Sequence, residues 1–237
     1  MKFTQRLIAI SVITLIAAAC PAAAFTPDRA LQNPLFLSEI GDCQIVYGGY
    51  ASDSGQFHLI YAEHDRFAQG YGALALQAGG EDTPSRIAFI AVKEYENFTV
   101  GAGVHRADGE VTIDLGAGYS AGPVAVTLAV HEVPIVPRPE GSGQQASLSL
   151  GATLTISDSL MVGAETSPGE AWQSEVYTTF TPLPKVKAHL GVGFSGASWR
   201  QAAIRLWYKQ EQFVLQLGYT LHREHHSSFR FGVGFRF

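Results

Sequence analysis

The stretch Ser228-Phe229-Arg230-Phe231-Gly232-Val233-Gly234-Phe235-Arg236-Phe237 decides the fold. Phe229, Phe231, Val233, Phe235 and Phe237 occupy one set of alternate positions; Arg230, Gly232, Gly234 and Arg236 occupy the other. A period of two places each set on its own face of a β-strand. The preceding segment repeats the scheme, with Phe213, Leu215, Leu217, Tyr219 and Leu221 set against Val214, Gln216, Gly218 and Thr220. Val186 to Phe194 and Val111 to Tyr119 follow it too. In each, one face is apolar with aromatics near the ends, and the other is polar or glycine.

Composition narrows what such strands can build. The 237 residues carry a formal charge of −5, are 46% hydrophobic and only 16% charged, and include 25 glycines. That apolar content excludes a disordered chain, and the missing basic excess argues against a nucleic-acid partner. Two cysteines, Cys20 and Cys43, cannot form a disulfide framework. Residues 1–24 read as a secretory signal: Lys2 and Arg6, an apolar run from Leu7 to Ala19, and the small residues Ala22-Ala23-Ala24 before Phe25. A lipoprotein cut before Cys20 is the rival reading, although the leucine usual three positions earlier is missing. No later apolar run reaches the roughly 20 residues of a membrane helix, so a chain of this kind enters a membrane only as a closed barrel.

Turn signals divide the rest into about 14 strands, near 43–50, 56–62, 69–78, 85–95, 98–106, 110–120, 124–133, 145–156, 160–166, 173–181, 186–194, 201–209, 213–221 and 228–237. Connections after even-numbered strands are short, such as Glu96-Asn97 and Ser157-Asp158-Ser159, whereas those after odd-numbered strands run up to Pro134 to Gln144. Outer-membrane barrels pair tight periplasmic turns with longer external loops, so the asymmetry assigns both strand termini to the periplasm. Glu63 to Ala68 is long for a turn, and Ala107-Asp108-Gly109 is short for a loop. The expected fold is therefore all-β: an antiparallel transmembrane barrel over 43–237, preceded by a plug or periplasmic segment at 25–42. Alternation alone also fits a soluble sandwich.

Two resemblances sharpen this reading. Arg230 to Phe237, with Arg230, Gly232, Phe235 and Phe237 as its marks, resembles the terminal assembly signal of bacterial outer-membrane barrels, which implies the barrel-assembly machinery as a partner and the outer membrane as the location. Asn33-Pro34-Leu35-Phe36-Leu37-Ser38 is similar to the plug motif of the fatty-acid-transporter-like barrels, the superfamily that includes the PorV-type barrels of type IX secretion; the tail from Leu217 through His222 looks like that family's closing hairpin. Family members have 14 strands. Leu35 and Phe36 stand where the family has small residues, and the long external loops that carry the transporters' capture site are missing. The resemblance thus implies the scaffold more strongly than lipid uptake.

Several residues are candidates for chemistry. Asp114, His131, Glu165, Glu175, Lys187, His189, Arg205 and Arg230 fall on the polar face and would line a lumen, while Asn33 and Pro34 would fix a turn in a segment too polar and proline-broken for a good helix. His222-Arg223-Glu224-His225-His226-Ser227-Ser228 could hold a metal or a His226/Ser228 hydrolytic pair, but ligand spacing and an orienting acid are missing, so a solvated loop is the simpler reading. No cofactor is implied. The expected function is a non-enzymatic, passive transporter or channel for small solutes, hydrophobic ones included. A non-conducting barrel that docks a secretion or surface-attachment partner is the first alternative, and an outer-membrane lipid hydrolase the second.

Overall fold

The computed structural model describes residues 33–40, 44–52, 54–65, 70–79, 85–107, 110–135, 146–168, 172–224 and 226–237. The expected signal at 1–24, with Cys20, and Cys43 and His225 lie outside them. Fourteen strands form: β1 Gln44–Ala51, β2 Gln56–Asp65, β3 Gly70–Ala78, β4 Arg86–Tyr95, β5 Phe98–Ala107, β6 Glu110–Ala121, β7 Val124–Pro134, β8 Ser147–Ser157, β9 Leu160–Ser167, β10 Gln173–Leu183, β11 Val186–Ser195, β12 Ser198–Gln210, β13 Phe213–His222 and β14 Ser228–Arg236. Each pairs antiparallel with its sequence neighbours, and β1 pairs with β14, from Ile45 opposite Arg236 to Ala51 opposite Arg230. The barrel is closed, so no strand edge is left unpaired.

The strand count read from turn signals agrees with this topology. Of the two awkward connections, the first shortens because β2 runs on to Asp65, opposite Gly70; the second stays short for a loop, since Ala107 pairs with Glu110. The start of β1 at Gln44 and the end of β14 at Arg236 share one end of the barrel with the two-residue connections 96–97, 122–123, 158–159, 184–185 and 211–212, the periplasmic end of such barrels. Gly122, with a φ of 59°, adopts in one of these turns the left-handed backbone that glycine takes without steric cost.

The outer wall is apolar in a belt. Leu74, Val104, Leu115, Val176, Ile204 and Leu217 are exposed at mid-height. Tyr95, Phe98, Tyr119 and Tyr208 are exposed near the short turns, and Phe57, Trp172, Trp199 and Phe229 near the other end. In water so continuous an apolar surface would aggregate; between two aromatic girdles it fits a bilayer. This removes the sandwich alternative, whose apolar face would be buried.

The inner face of β2–β4 carries Ala62, Ala73, Ala75 and Ala88, all buried. The room these small residues leave is filled by a 3₁₀ helix, Pro34–Ile40, whose Leu37 and Ile40 pack among Ile45, Ile60, Ile90 and Val92. The expectation that this segment is too polar and too broken by proline to be helical is corrected. Pro34 stands at the first helical position, where its missing N–H costs no bond. Asn33 caps the helix: its Oδ1 accepts from the Leu35 N–H at 3.1 Å and its carbonyl from the Phe36 N–H at 3.2 Å. Burial of Leu35, Leu37 and Ile40 supplies the stability that local propensity lacks.

Candidate functional site: a divided lumen

Among the described residues, two cavities inside the barrel stand out. The outer one, about 540 Å³, opens at the long-loop end, and its wall separates charge by sector. Asp114, Glu132, Glu165 and Glu175 line it from β6, β7, β9 and β10; Arg200, Arg205, His222 and Arg230 line it from β12, β13 and β14, with Arg86 on β4. Glu165 and Glu175 are directly paired across β9 and β10. Arg205 and Arg230 flank Gly218, where a Cβ would lie 3.4 Å from Arg230 Cβ and 3.7 Å from Arg205 Cγ. Like charges directly opposite weaken a sheet; Glu165 and Glu175 are such a pair, whereas Arg205 and Arg230 stand one strand apart across Gly218.

Below the acidic sector is a buried polar cluster. Asp114, 2% exposed, bonds through Oδ2 to His105 Nε2 at 2.6 Å and accepts the Glu132 N–H on Oδ1 at 2.7 Å. His131 Nδ1 is 4.0 Å from the same carboxylate, and its Nε2 is 2.9 Å from Ser149 Oγ. A buried carboxylate is tolerated only when its oxygens are satisfied in this way. A β-bulge makes the arrangement possible: the β6–β7 register shifts between Ile113 and Leu115, so both His131 and Glu132 come opposite Asp114, and Glu132 takes a φ of 57°. Simple alternation would turn Glu132 towards lipid. Instead its side chain meets Arg86 Nη1 at 3.6 Å inside the barrel.

The second cavity, about 380 Å³, opens at the short-turn end and is lined by Lys185, Lys187 and Lys209 with hydroxyls from Thr155, Ser157 and Thr179. Between the chambers lies a layer of side chains. Tyr47 reaches across Gly232 to donate to Gln216 Oε1 at 2.6 Å. Trp207, directly paired with Gln216, stands edge-on to His189 at 6.3 Å between ring centres, and His189 stacks on Tyr177 at 5.0 Å. All five are buried. Together with the 3₁₀ helix this septum divides the lumen.

The sequence candidates fall at four levels. Asp114, His131, Glu165, Glu175, Arg205 and Arg230 line the outer chamber, Lys187 the inner one, and His189 the septum. Asn33, 3% exposed, lies at the outer chamber's edge beside Pro34. Gly232 underlies Tyr47, Phe235 pairs with Val46 and Phe213, and Phe237 exchanges backbone bonds with Gln44 at 3.1 and 3.2 Å. His226 is exposed ahead of β14 and shares no strand face with Ser228; the Ser228 hydroxyl lies inside the wall, 3.4 Å from His222 Nε2. No group of three metal-ligating side chains occurs among the described residues. Sequence reasoning missed His105, Glu132, Arg86 and the septum. His105 was open to detection, because parity within β5 turns it inward and the hairpin register sets it diagonally to Asp114.

No family model matches the chain, and no curated protein sequence matches it. Solved structures do. The outer membrane protein Omp33 of Acinetobacter baumannii is 9% identical, with 82% of this chain and 97% of that one covered and a TM-score of 0.60. A mutant of the Rhodopseudomonas blastica porin is 11% identical over 82% and 99%, with a TM-score of 0.51. The fold is that of a bacterial outer-membrane β-barrel. With its girdled apolar wall, the chain is placed in the outer membrane.

Proposed function

We propose that this barrel is a passive channel for small polar solutes, and that those it favours are zwitterions carrying a carboxylate and an ammonium group. One observation carries the reading: a chamber of small-molecule size with directly paired carboxylates in one sector and two arginines, one strand apart, in another. A guanidinium takes a carboxylate through two parallel bonds, and a carboxylate pair offers an ammonium ion matching acceptors. The resemblance to fatty-acid-transporter-like barrels bears on the scaffold; a wall of charged groups suits a polar solute better than a fatty one. The terminal strand, as a signal for the assembly machinery, belongs to the same reading.

The test is swelling of proteoliposomes in γ-aminobutyrate, a zwitterion with a primary ammonium group, against a neutral polyol of similar size. Faster entry of the zwitterion, with the preference lost in Glu165→Gln/Glu175→Gln and in Arg205→Gln/Arg230→Gln, supports the proposal. Equal rates argue against it. A second reading, a non-conducting barrel that docks a secretion or surface partner, is favoured by the septum, and swelling no faster than in protein-free liposomes would select it. A hydrolase is not favoured, since Ser228 is buried on the inner face, away from lipid.

A further inference from the structure

The inner chamber is a pocket of hydrogen-bond donors and positive charge. Lys185, Lys187 and Lys209 line it, and the one acid among its described lining residues is Asp158, exposed in the β8–β9 turn. Lys185 and Lys187 form no ion pair among the described residues. The Lys209 N–H donates to the Lys185 carbonyl at 2.8 Å, one step beyond the Val186–Tyr208 pair, so these two residues stand opposite one another; Lys187 is paired with Trp207. Like charges so placed weaken a sheet. They do not serve as anchors for lipid headgroups either, because Lys187 and Lys209 share the inward parity of Trp207, while the alternate residues Leu206 and Tyr208 are the ones exposed on the outer wall. The hydroxyls of Thr155 and Thr181 open into the same space and make no hydrogen bond among the described residues. Trp207 is 3% exposed, and its Nε1–H has no acceptor among the described residues. Ammonium and indole nitrogens can only donate, so the chamber holds donors that nothing on its own wall answers.

We propose that the inner chamber is a binding site for an oxyanion of the phosphate class, taken up from the short-turn end as the free ion or as the head of a phosphomonoester. A cleft lined by one sign of charge concentrates the opposite ion. The two chambers also differ in the kind of cation they present. Arginine, whose planar fork fits a carboxylate, lines the outer one, whereas the described lining of the inner one has lysine alone. An ammonium group is a compact charge with three donors on a flexible stem, so three of them can close on a tetrahedral oxyanion from different sides. Thr155 and Thr181 add neutral donors from β8 and β10, across the chamber from Lys209 on β12. The inference does not rest on the channel reading: the chamber opens at its own end of the barrel, and an anion can enter it whether or not solutes cross the septum.

Equilibrium dialysis of the full-length protein in uncharged detergent tests this, with radiolabelled inorganic phosphate at about pH 8, where lysine keeps its charge. The expected result is saturable binding of one phosphate per barrel with a dissociation constant of about 1 mM or tighter, weakened at least about tenfold in Lys187→Gln/Lys209→Gln and more mildly in Trp207→Phe, which keeps a ring and removes the donor. Lys93→Gln, which removes a cation packed over Tyr95 outside the chamber, should bind as the wild type does. Heat-modifiable gel migration shows that each variant is folded. Glycerophosphate as a competitor separates the two sources: displacement as effective as that by phosphate supports a phosphomonoester site, and displacement by phosphate alone supports a site for the free ion. Absence of saturable binding in the wild type, or undiminished affinity in folded Lys187→Gln/Lys209→Gln, overturns the proposal. Equal displacement by chloride also overturns it, since a diffuse cloud of counter-ions would then account for the binding. All of these outcomes leave the channel reading to be judged separately by swelling.

Discussion

Replacing Gly116 by valine should drive the 3₁₀ helix out of its seat. A Cβ built on Gly116 falls 2.9 Å from Leu35 Cγ and 3.3 Å from both of its methyl carbons. Side chains do not approach that closely, and valine adds two further methyls. Leu35 is 6% exposed, with Gly101 and Gly118 also against it, so it cannot turn aside within the wall. Overpacking of this kind costs about 1–3 kcal/mol. At about 1.4 kcal/mol per factor of ten, the docked form loses roughly 5- to 150-fold against the undocked one. Two measurements report the shift: single-channel conductance, which should rise as the β2–β6 side of the lumen clears, and maleimide labelling of a Ser38→Cys probe, which should accelerate. Leu35→Ala in the Gly116→Val background should restore both. Gly72→Ala is the control, since nothing lies within 4 Å of its Cβ. Unchanged conductance and labelling in folded Gly116→Val would refute the claim that Leu35 packing holds the segment.

Three further outcomes follow from the same geometry. His105→Ala leaves the Asp114 carboxylate buried without its partner and should destabilise the barrel by about 3–5 kcal/mol, measured by denaturant unfolding from detergent or lipid, with Asp114→Asn recovering part of the loss. Leu217→Arg puts a charge on the lipid face and should cost about 2–4 kcal/mol in the same assay, whereas Gln201→Arg, inside the barrel, should cost far less. Gly232→Ala places a methyl against the Tyr47 ring and hydroxyl, so it should break the Tyr47–Gln216 bond and raise conductance while leaving the barrel assembled; an unaltered conductance would count against Tyr47 as part of the septum.

The barrel was legible because its determinants are local. Period-two alternation and two-residue turns fix strands and register hairpin by hairpin, and β13 and β14 show this in their side-chain identities alone. Glu132 was not legible, since a bulge inverts facing without disturbing composition, although a lone glutamate in a lipid-facing register near a strand end is a signal of one. The septum was hidden for a different reason. Tyr47 and Gln216 are 169 residues apart and meet only because β1 closes on β14, with Gly232 leaving the space between them. The alanines and glycines of β2–β6 read as ordinary small residues until the helix they accommodate is in place. Distances around a closed cylinder depend on strand tilt and stagger, which no single segment encodes.

The closing seam carries a consequence for the order of events during biogenesis. Ile40, the last residue of the 3₁₀ helix, is only four positions before Gln44, where β1 begins, a tether of at most about 14 Å when fully stretched. β1 is also the strand that zips onto β14. So short a leash keeps the segment beside the β2–β6 wall from the moment β1 takes its place, so its seat is within reach before the cylinder is sealed. The same leash confines any later excursion: the helix can tilt away from Gly116 like a hinged stopper, but it stays within reach of the mouth where β1 begins.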